Sequence, residues 1–228
     1  IPVTANLSGI MLNEIERIEI LQGSQSALYG SSAIGGVISL TTKKAAKESS
    51  SVSVEGGTYG TISFNVGRNF SSEDSDFLLS RSHFSTDGFS AKAGGIENDG
   101  YSSSKTSLSG NYYISDTSSV SISMFKQEED GDQDGYDPVT FEFVDKDDEV
   151  FSNDSVGIAA GIEMNSGSVV RNLNFNFYNI ERFYTGPYNY EGTNLEVSWQ
   201  EKRQLGEGSL IYGLVSDNEK TLIEEVRK

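Results

Sequence analysis

The densest concentration of reactive side chains in this 228-residue chain is acidic. Glu128, Glu129, Asp130, Asp132, Asp134, Asp137, Glu142, Asp145, Asp147, Asp148 and Glu149 crowd one stretch, opposed only by Lys146. Alternate carboxylates followed by glycine suit a hard cation, and Asp130-Gly131-Asp132-Gln133-Asp134-Gly135 repeats the opening of a calcium loop. The pattern then departs from an EF-hand. The position where a bidentate glutamate closes the cage is Phe141, Glu142 comes one residue late, and no flanking helices are predicted. Two readings stay open: a calcium site of another kind built from Asp130, Asp132, Asp134 and Asp137, or a solvated acidic loop, the usual fate of a charge run.

A second group is aromatic. Phe183, Tyr184, Tyr188 and Tyr190 fall at the end of a predicted strand and its loop. An interfacial girdle accounts for Phe183 and Tyr184. Tyr188 and Tyr190 are the candidate contacts to an apolar ligand, weighed against the same interfacial role. Trp199 reads as a lipid-facing or interface residue. His83, the sole histidine, has no Ser or Cys partner in a matching motif and reads as a polar residue facing a lumen or the surface. No Ser-His-Asp spacing, phosphate loop or paired-carboxylate motif stands out, so catalysis is not expected.

Composition narrows the classes. Thirty-four acidic against 17 basic side chains give a net charge of −17, which repels nucleic-acid phosphates and argues against a DNA- or RNA-binding protein. Hydrophobic residues are only 36% and the mean hydropathy is −0.39, yet 11% aromatics in short apolar alternations argue against disorder. With no cysteine there is neither a disulfide framework nor a thiolate metal site. No run approaches the roughly 18 apolar residues of a membrane helix and no signal peptide opens the chain, but a β-barrel requires no such run. Both ends read as cut from something longer.

The elements that must carry these groups are strands. Ile15 to Leu21 alternates as a half-buried strand does; Ser24 is placed to cap a helical turn over Gln25 to Tyr29, and Gly35-Gly36 turns into a β-rich Val37 to Thr42. After a polar linker the texture changes near Lys47. From there apolar residues recur at every second position: Ile62/Phe64/Val66, Val120/Ile122/Met124, Val156/Ile158/Ala160/Ile162, Leu173/Phe175/Phe177, Leu195/Val197/Trp199 and Leu210/Tyr212/Leu214. Tight turns at 71–75, 115–117, 165–167 and 206–208 alternate with longer links at 88–101, 128–152 and 185–192. Short turns on one rim and long loops on the other are the pattern of an outer-membrane barrel. About nine strands are predicted, the first hairpin turning at Gly56-Gly57-Thr58.

The stretch Ile15 to Lys44, IERIEILQGSQSALYGSSAIGGVISLTTKK, resembles the C-terminal end of the plug domain of TonB-dependent outer-membrane receptors. Within that family the phrases ENDGY (Glu97 to Tyr101), GYDP (Gly135 to Pro138) and YTGPYNYEG (Tyr184 to Gly192) are similar in placement to those of cobalamin receptors. The family pattern usually reads Arg-Gly-Pro where this chain has Gln22-Gly23-Ser24, so a cation that commonly seats the plug is missing and Arg17 is the only nearby substitute.

The resemblance implies a mainly β chain. Residues 1–47 are the C-terminal part of a plug, and 48–228 are about nine antiparallel strands of an incomplete transmembrane β-barrel that in the family closes at about 22. It implies the outer membrane of a Gram-negative bacterium and lipid around the barrel. It further implies coupling to a TonB-type partner through a plug segment upstream, and import of a scarce ligand, with cobalamin first and ferric siderophore or haem next. Cobalamin receptors also use acidic extracellular loops to bind calcium, and Asp137 sits where such an aspartate would. The rival class is a secreted or surface calcium-binding β adhesion module. It requires the apolar strand faces to pack against a second sheet.

Overall fold

The computed structural model describes residues 11, 15–25, 33–43, 47–90, 92–95, 97–137, 139–144, 149–185 and 188–225. Its elements are all strands, and the chain divides into two compact units, Ile1–Lys44 and Ala45–Lys228.

In the first unit β1 (Ile15–Gln22) pairs antiparallel with β2 (Gly36–Thr42), with a register shift between Ile15 and Arg17. Gly23, at φ 89°, leaves β1 through a conformation that side-chain-bearing residues avoid, and its N–H donates to Gly35 O at 3.2 Å. β1 forms where its alternation predicts, but not half-buried: Ile18 and Ile20 are exposed among the described residues. Arg17, the substitute cation, is held 3.2 Å from Glu19, its neighbour on the same strand face. The predicted helical turn over Gln25 to Tyr29 lies, beyond Gln25, outside the described residues.

The second unit is one antiparallel sheet of nine strands: β3 (Ser49–Gly56), β4 (Ile62–Ser71), β5 (Ser75–Thr86), β6 (Tyr101–Ser115), β7 (Ser118–Asp132), β10 (Val150–Ser166), β11 (Val169–Tyr184), β12 (Tyr188–Leu205) and β13 (Gly208–Glu225). Each pairs with its neighbour in the chain. The single excursion is a small ladder of β8 (Gly135–Tyr136) and β9 (Phe143–Val144) between β7 and β10. β3 and β13 form the two edges, so the wall is open. This is the predicted nine-stranded, incomplete barrel.

Register explains which residues share a face. Ile158 stands opposite Met124 and Phe177, and Phe177 opposite Leu195; one step on, Ala160 meets Ile122 and Phe175, and Phe175 meets Val197. The alternations read from sequence thus merge into one apolar band. The other face carries Ser, Asn and Gly in ladders such as Asn65 Nδ2 to Ser53 Oγ (3.1 Å), Ser80 to Ser107 (2.7 Å) and Asn176 Nδ2 to Glu196 Oε1 (3.1 Å).

Burial is inverted relative to a water-soluble sandwich. Among the described residues of this unit, glycines aside, the buried side chains are Ser82, Ser103, Gln127, Glu129, Asn153, Ser155 and Glu201, while Leu79, Leu173, Phe175, Leu195, Val197 and Leu214 are exposed. Within this unit no described second sheet packs against the band, and the adhesion-module reading finds no support. On β10 the band runs from Val156 to Met164, about 26 Å of strand. Tilted, that is roughly 20 Å of height, close to the roughly 25 Å apolar belt of outer-membrane barrels.

The connections also segregate. At one rim β4–β5, β6–β7, β10–β11 and β12–β13 join through residues 72–74, 116–117, 167–168 and 206–207. At the other the links are 57–61, 87–100, 133–149 and 185–187. Two loops are shorter than predicted. Glu128 to Asp132 belong to β7 and 188–192 to β12, because the first stretch finds partners at Val150–Asp154 and the second at Ile180–Arg182 and along the end of β13, and their strands climb past the band. Ladder hydrogen bonds and cross-strand partners outweigh the weak intrinsic strand preference of acidic residues.

Candidate functional site

Above the apolar band, the polar face of the sheet gathers its most enclosed groups. Pairing aligns Phe84, Ser103, Glu129, Asn153, Arg182 and Tyr190 in one row across β5, β6, β7, β10, β11 and β12. One step further out lie Tyr101, Gly131 and Phe151, aligned in the same way. Each residue is there by strand parity: Glu129 follows Phe125 and Gln127 on the face opposite Val120, Ile122 and Met124.

The row is knit by a carboxylate. Tyr101 Oη donates to Glu129 Oε1 at 2.5 Å, and Asn153 Nδ2 donates to Glu129 Oε2 at 3.3 Å. Gln127 Nε2 reaches Ser103 Oγ at 3.2 Å just below. Rings frame these groups: Tyr101 stacks on Phe151 at 6.4 Å and meets Phe84 at 6.1 Å, Phe125 faces Tyr178 at 6.4 Å, and Lys105 Nζ sits 5.1 Å from the Phe125 ring centre. Glycine makes this possible. A Cβ on Gly131 would lie 2.6 Å from Phe151 Cε1, and one on Gly157 2.3 Å from Phe125 Cε1, so each ring occupies the space a side chain would take.

Two buried atoms in the row have no hydrogen-bond partner: Asn153 Oδ1 and Arg182 Nε, on residues directly opposite one another. Asn153 is 2% exposed. An acceptor and a donor on directly paired residues in an enclosed place suit a ligand group that both donates and accepts, such as an amide or hydroxyl. At the outer ends of β10 to β13 a pocket of about 280 Å³ opens on the other face of the sheet: apart from Arg182 and Tyr190, its lining, including Asp154, Glu181, Phe183 and Leu222, has the parity of the apolar band, so it is separate from this pair.

The residues singled out from sequence are distributed as follows. Tyr190 is in the row, opposite Arg182 and Ile223; Tyr188 opens β12, opposite Glu225. Phe183 and Tyr184 occupy opposite faces. Phe183 lies six residues beyond Phe177, about 20 Å along the strand, too far out for a girdle. Trp199 is in the apolar band, its ring edge-on to Tyr212 at 5.8 Å. His83 Nδ1 contacts Ser104 Oγ at 2.8 Å on the face that carries Leu79.

The four aspartates do not form one cage. Asp130 and Asp132 are alternate residues of a strand, about 6.6 Å apart along it. Asp132 Oδ2 accepts from Gly100 N at 3.1 Å, and Asp137 Oδ1 accepts from Val139 N and Thr140 N, both at 2.8 Å, folding its own turn. Asp134 instead meets Glu97 and Asp99 of the 87–100 loop, one carboxylate oxygen from each lying within 4.8 Å of the others. Glu129 was read only as part of the acidic stretch, Asn153 and Arg182 were not singled out from sequence, and Glu97 and Asp99 entered only within the ENDGY phrase. Strand parity would have placed the first three on one face, but only register aligns them.

Comparison with known proteins places this geometry. Residues 2–37 match the model of the TonB-dependent receptor plug domain. The vitamin B12 transporter BtuB of Photobacterium profundum is 48% identical over 58 residues, 25% of this chain and 10% of that protein. The iron-regulated outer membrane virulence protein of Vibrio cholerae is 61% identical over 33 residues, 14% of this chain and 5% of that protein. The chain therefore spans about a tenth or less of the curated relatives it matches. Among solved structures, the siderophore receptor PiuA of Acinetobacter baumannii superposes with a TM-score of 0.72 at 15% identity, covering 91% of this chain and 35% of that one. A mutant of the ferric enterobactin receptor of Pseudomonas aeruginosa gives 0.70 at 14%, covering 95% and 37%. At those identities the likeness is one of fold.

Proposed function

Since the chain is part of a TonB-dependent receptor in the outer membrane of a Gram-negative bacterium, we propose that the receptor takes up a scarce small molecule by energy-coupled transport. Its ligand is held at the outer end of the polar face, by the row Glu129, Asn153, Arg182 and Tyr190, with Tyr188 beside it. Residues 1–47 form the end of the plug and 48–228 the first part of the wall. A TonB-type protein acts through an upstream plug segment, and no catalysis is involved.

The observation that carries this reading is the enclosed pair of Asn153 Oδ1 and Arg182 Nε, framed by aromatic rings on the face away from lipid. Cobalamin is the first ligand. Its peripheral amides both donate and accept, matching the pair, whereas a multiply anionic ferric siderophore meets Glu129 and a chain of net charge −17. The relatives include a vitamin B12 transporter and siderophore receptors, so the test sets the two against each other. Calorimetric titration of the full-length receptor with cyanocobalamin and with a ferric catecholate should show tight binding of the first. Arg182→Ala should weaken it about tenfold or more, the loss of a hydrogen bond from a charged donor. Tight catecholate binding with no response to cobalamin would reverse the assignment.

A second reading concerns the loops above the row. The approach of Glu97, Asp99 and Asp134 favours a calcium ion held between the 87–100 and 133–149 loops, with Asp130, Asp132 and Asp137 close by in sequence. Three carboxylates supply about half of the six to eight oxygens calcium takes, leaving backbone carbonyls and water for the rest. Millimolar calcium should slow proteolysis within 133–149, and Asp134→Asn should abolish that protection. Unchanged cleavage would remove the site.

A further inference from the structure

Where the apolar band ends toward the short turns, the lipid-facing side carries an ion cluster. Arg171 of β11 stands opposite Glu201 of β12, and Glu201 opposite Tyr212 of β13; one step nearer the turns, Arg203 lies between Val169 and Leu210. Arg171 Nε donates to Glu201 Oε2 at 2.8 Å, while Arg203 Nη2 and Tyr212 Oη donate to Glu201 Oε1 at 2.7 and 2.5 Å. The Glu201 side chain is 5% exposed, but those of Arg171 and Arg203 are 39% and 45% exposed. One step into the band are Leu173, Trp199 and Leu214, with Trp199 edge-on to Tyr212.

Two guanidiniums share one carboxylate, so the cluster carries a surplus positive charge beside hydrocarbon. Only three of their ten N–H donors reach Glu201: Nε of Arg171, and Nε and Nη2 of Arg203. The rim is the periplasmic one, because its turns are the short ones. The Trp199–Tyr212 pair marks the level at which headgroups begin. Arginine's planar fork matches phosphate oxygens in pairs. The opposite end of the same face carries Glu128, Asp154, Glu181 and Glu191 in one row, where an anionic headgroup is repelled.

We propose that Arg171 and Arg203 bind the phosphodiester headgroup of an anionic phospholipid of the periplasmic leaflet. Glu201 is the bracket that fixes both guanidiniums toward it, and Trp199 and Tyr212 pack against the glycerol and upper acyl chains. The charge of the site, its level at the band's edge and its continuity with the lipid-facing surface select this occupant.

The experiment is native mass spectrometry of the full-length receptor from mixed micelles of phosphatidylglycerol and phosphatidylcholine of matched chains. Phosphatidylglycerol should be retained preferentially, and the preference should fall about fivefold for each guanidinium lost in Arg171→Gln and Arg171→Gln/Arg203→Gln. Glu201→Gln should preserve or raise it, which a purely structural ion pair does not predict. If the double variant does not fold, Arg171→Gln alone carries the test, since Arg203 still holds Glu201 through two bonds. Equal retention of both lipids, a preference unchanged by the arginine substitutions, or displacement by millimolar inorganic phosphate would each overturn the proposal.

Discussion

Glu129 and Glu201 are the two buried carboxylates among the described residues, and each accepts a tyrosine hydroxyl at 2.5 Å, from Tyr101 and Tyr212. They sit on opposite faces and toward opposite ends of the same sheet. Glu201, facing lipid, is also bound by Arg171 and Arg203, so no charge of its own is left facing hydrocarbon. Glu129, on the polar face, has an amide for its other partner, Asn153, whose oxygen is without a partner, as is Arg182 Nε across the strand. The difference teaches how one sheet divides its work. On the lipid-facing side a buried carboxylate must find its partners within the protein, because hydrocarbon supplies none, and the surplus charge of its two arginines is left at the headgroup level. Where they are aqueous, polar groups can be held in reserve for a ligand.

The division breaks most sharply at two adjacent residues of β11. Phe175 lies mid-band, between Ala160 and Val197, and Asn176 lies on the other face, beside Glu196. Phe175→Arg should cost about 2–4 kcal/mol in urea-dependent folding into phospholipid vesicles, the depth-dependent cost of a cation at the bilayer midplane. Asn176→Arg should stay within about 0.5 kcal/mol, as a polar-face substitution able to reach Glu196. Equal costs would mean that the two faces have been assigned wrongly.

The carboxylates themselves give the next contrast. Glu129→Ala leaves the Tyr101 hydroxyl and the Asn153 amide without their acceptor in an enclosed place, which should cost about 1–3 kcal/mol. Since neither partner is charged, that loss should change little between low and high salt. Glu201→Ala removes the anion from two guanidiniums, and its effect should shrink as salt screens their mutual repulsion. Urea midpoints at two ionic strengths separate the cases, and a common salt response would undo the distinction.

How much of this was legible in the sequence follows from what each feature depends on. The apolar band, the nine strands and the short turns follow from local alternation and turn residues, and Ile158 or Phe175 declares its face within its own strand. The outer strand ends did not declare themselves. Glu128 to Asp132 is so acidic, and 185–192 so rich in Gly and Pro, that both read as loop, and only partners on neighbouring strands make Glu128 to Asp132 and 188–192 β. The site was less legible still. Glu129, Asn153 and Arg182 are single polar residues among many, and what unites them is register between strands roughly 25 residues apart. The Asp130 to Gly135 motif has the opposite history: calcium-like spacing in one dimension, but extended as a strand at its start, so that only Asp134 comes to meet other carboxylates.

On the polar face, replacing the acceptor itself should act on ligand rather than on fold. Asn153→Leu removes both the bond to Glu129 and the reserved oxygen while keeping the side chain's approximate volume. Cyanocobalamin affinity should fall about tenfold, the loss of one enclosed hydrogen bond near the top of its usual range. Asn153→Asp, which keeps an acceptor oxygen, should bind more tightly than Asn153→Leu. The reverse order would place the ligand elsewhere on the face.

The smallest effect is expected at Gly131, and it is the most selective. A methyl added there meets Phe151 Cε1 at 2.6 Å and Cζ at 2.8 Å, the far end of a ring that can swing aside, and Gly100 O at 3.2 Å, a tight backbone contact that must give by a few tenths of an ångström. Overpacking of this kind should cost about 1 kcal/mol, at the low end of its range. The swing separates Phe151 from Tyr101, with which it stacks at 6.4 Å, and loosens the hydroxyl that Tyr101 gives to Glu129. Gly131→Ala should therefore weaken ligand binding out of proportion to a modest drop in the urea midpoint, and Gly131→Ala/Phe151→Leu, which trims the ring, should recover the stability but not the affinity. A glycine variant that lost stability and binding in proportion would instead make the aromatic frame part of the wall's packing, and the reserve of the polar face would rest on Asn153 and Arg182 alone.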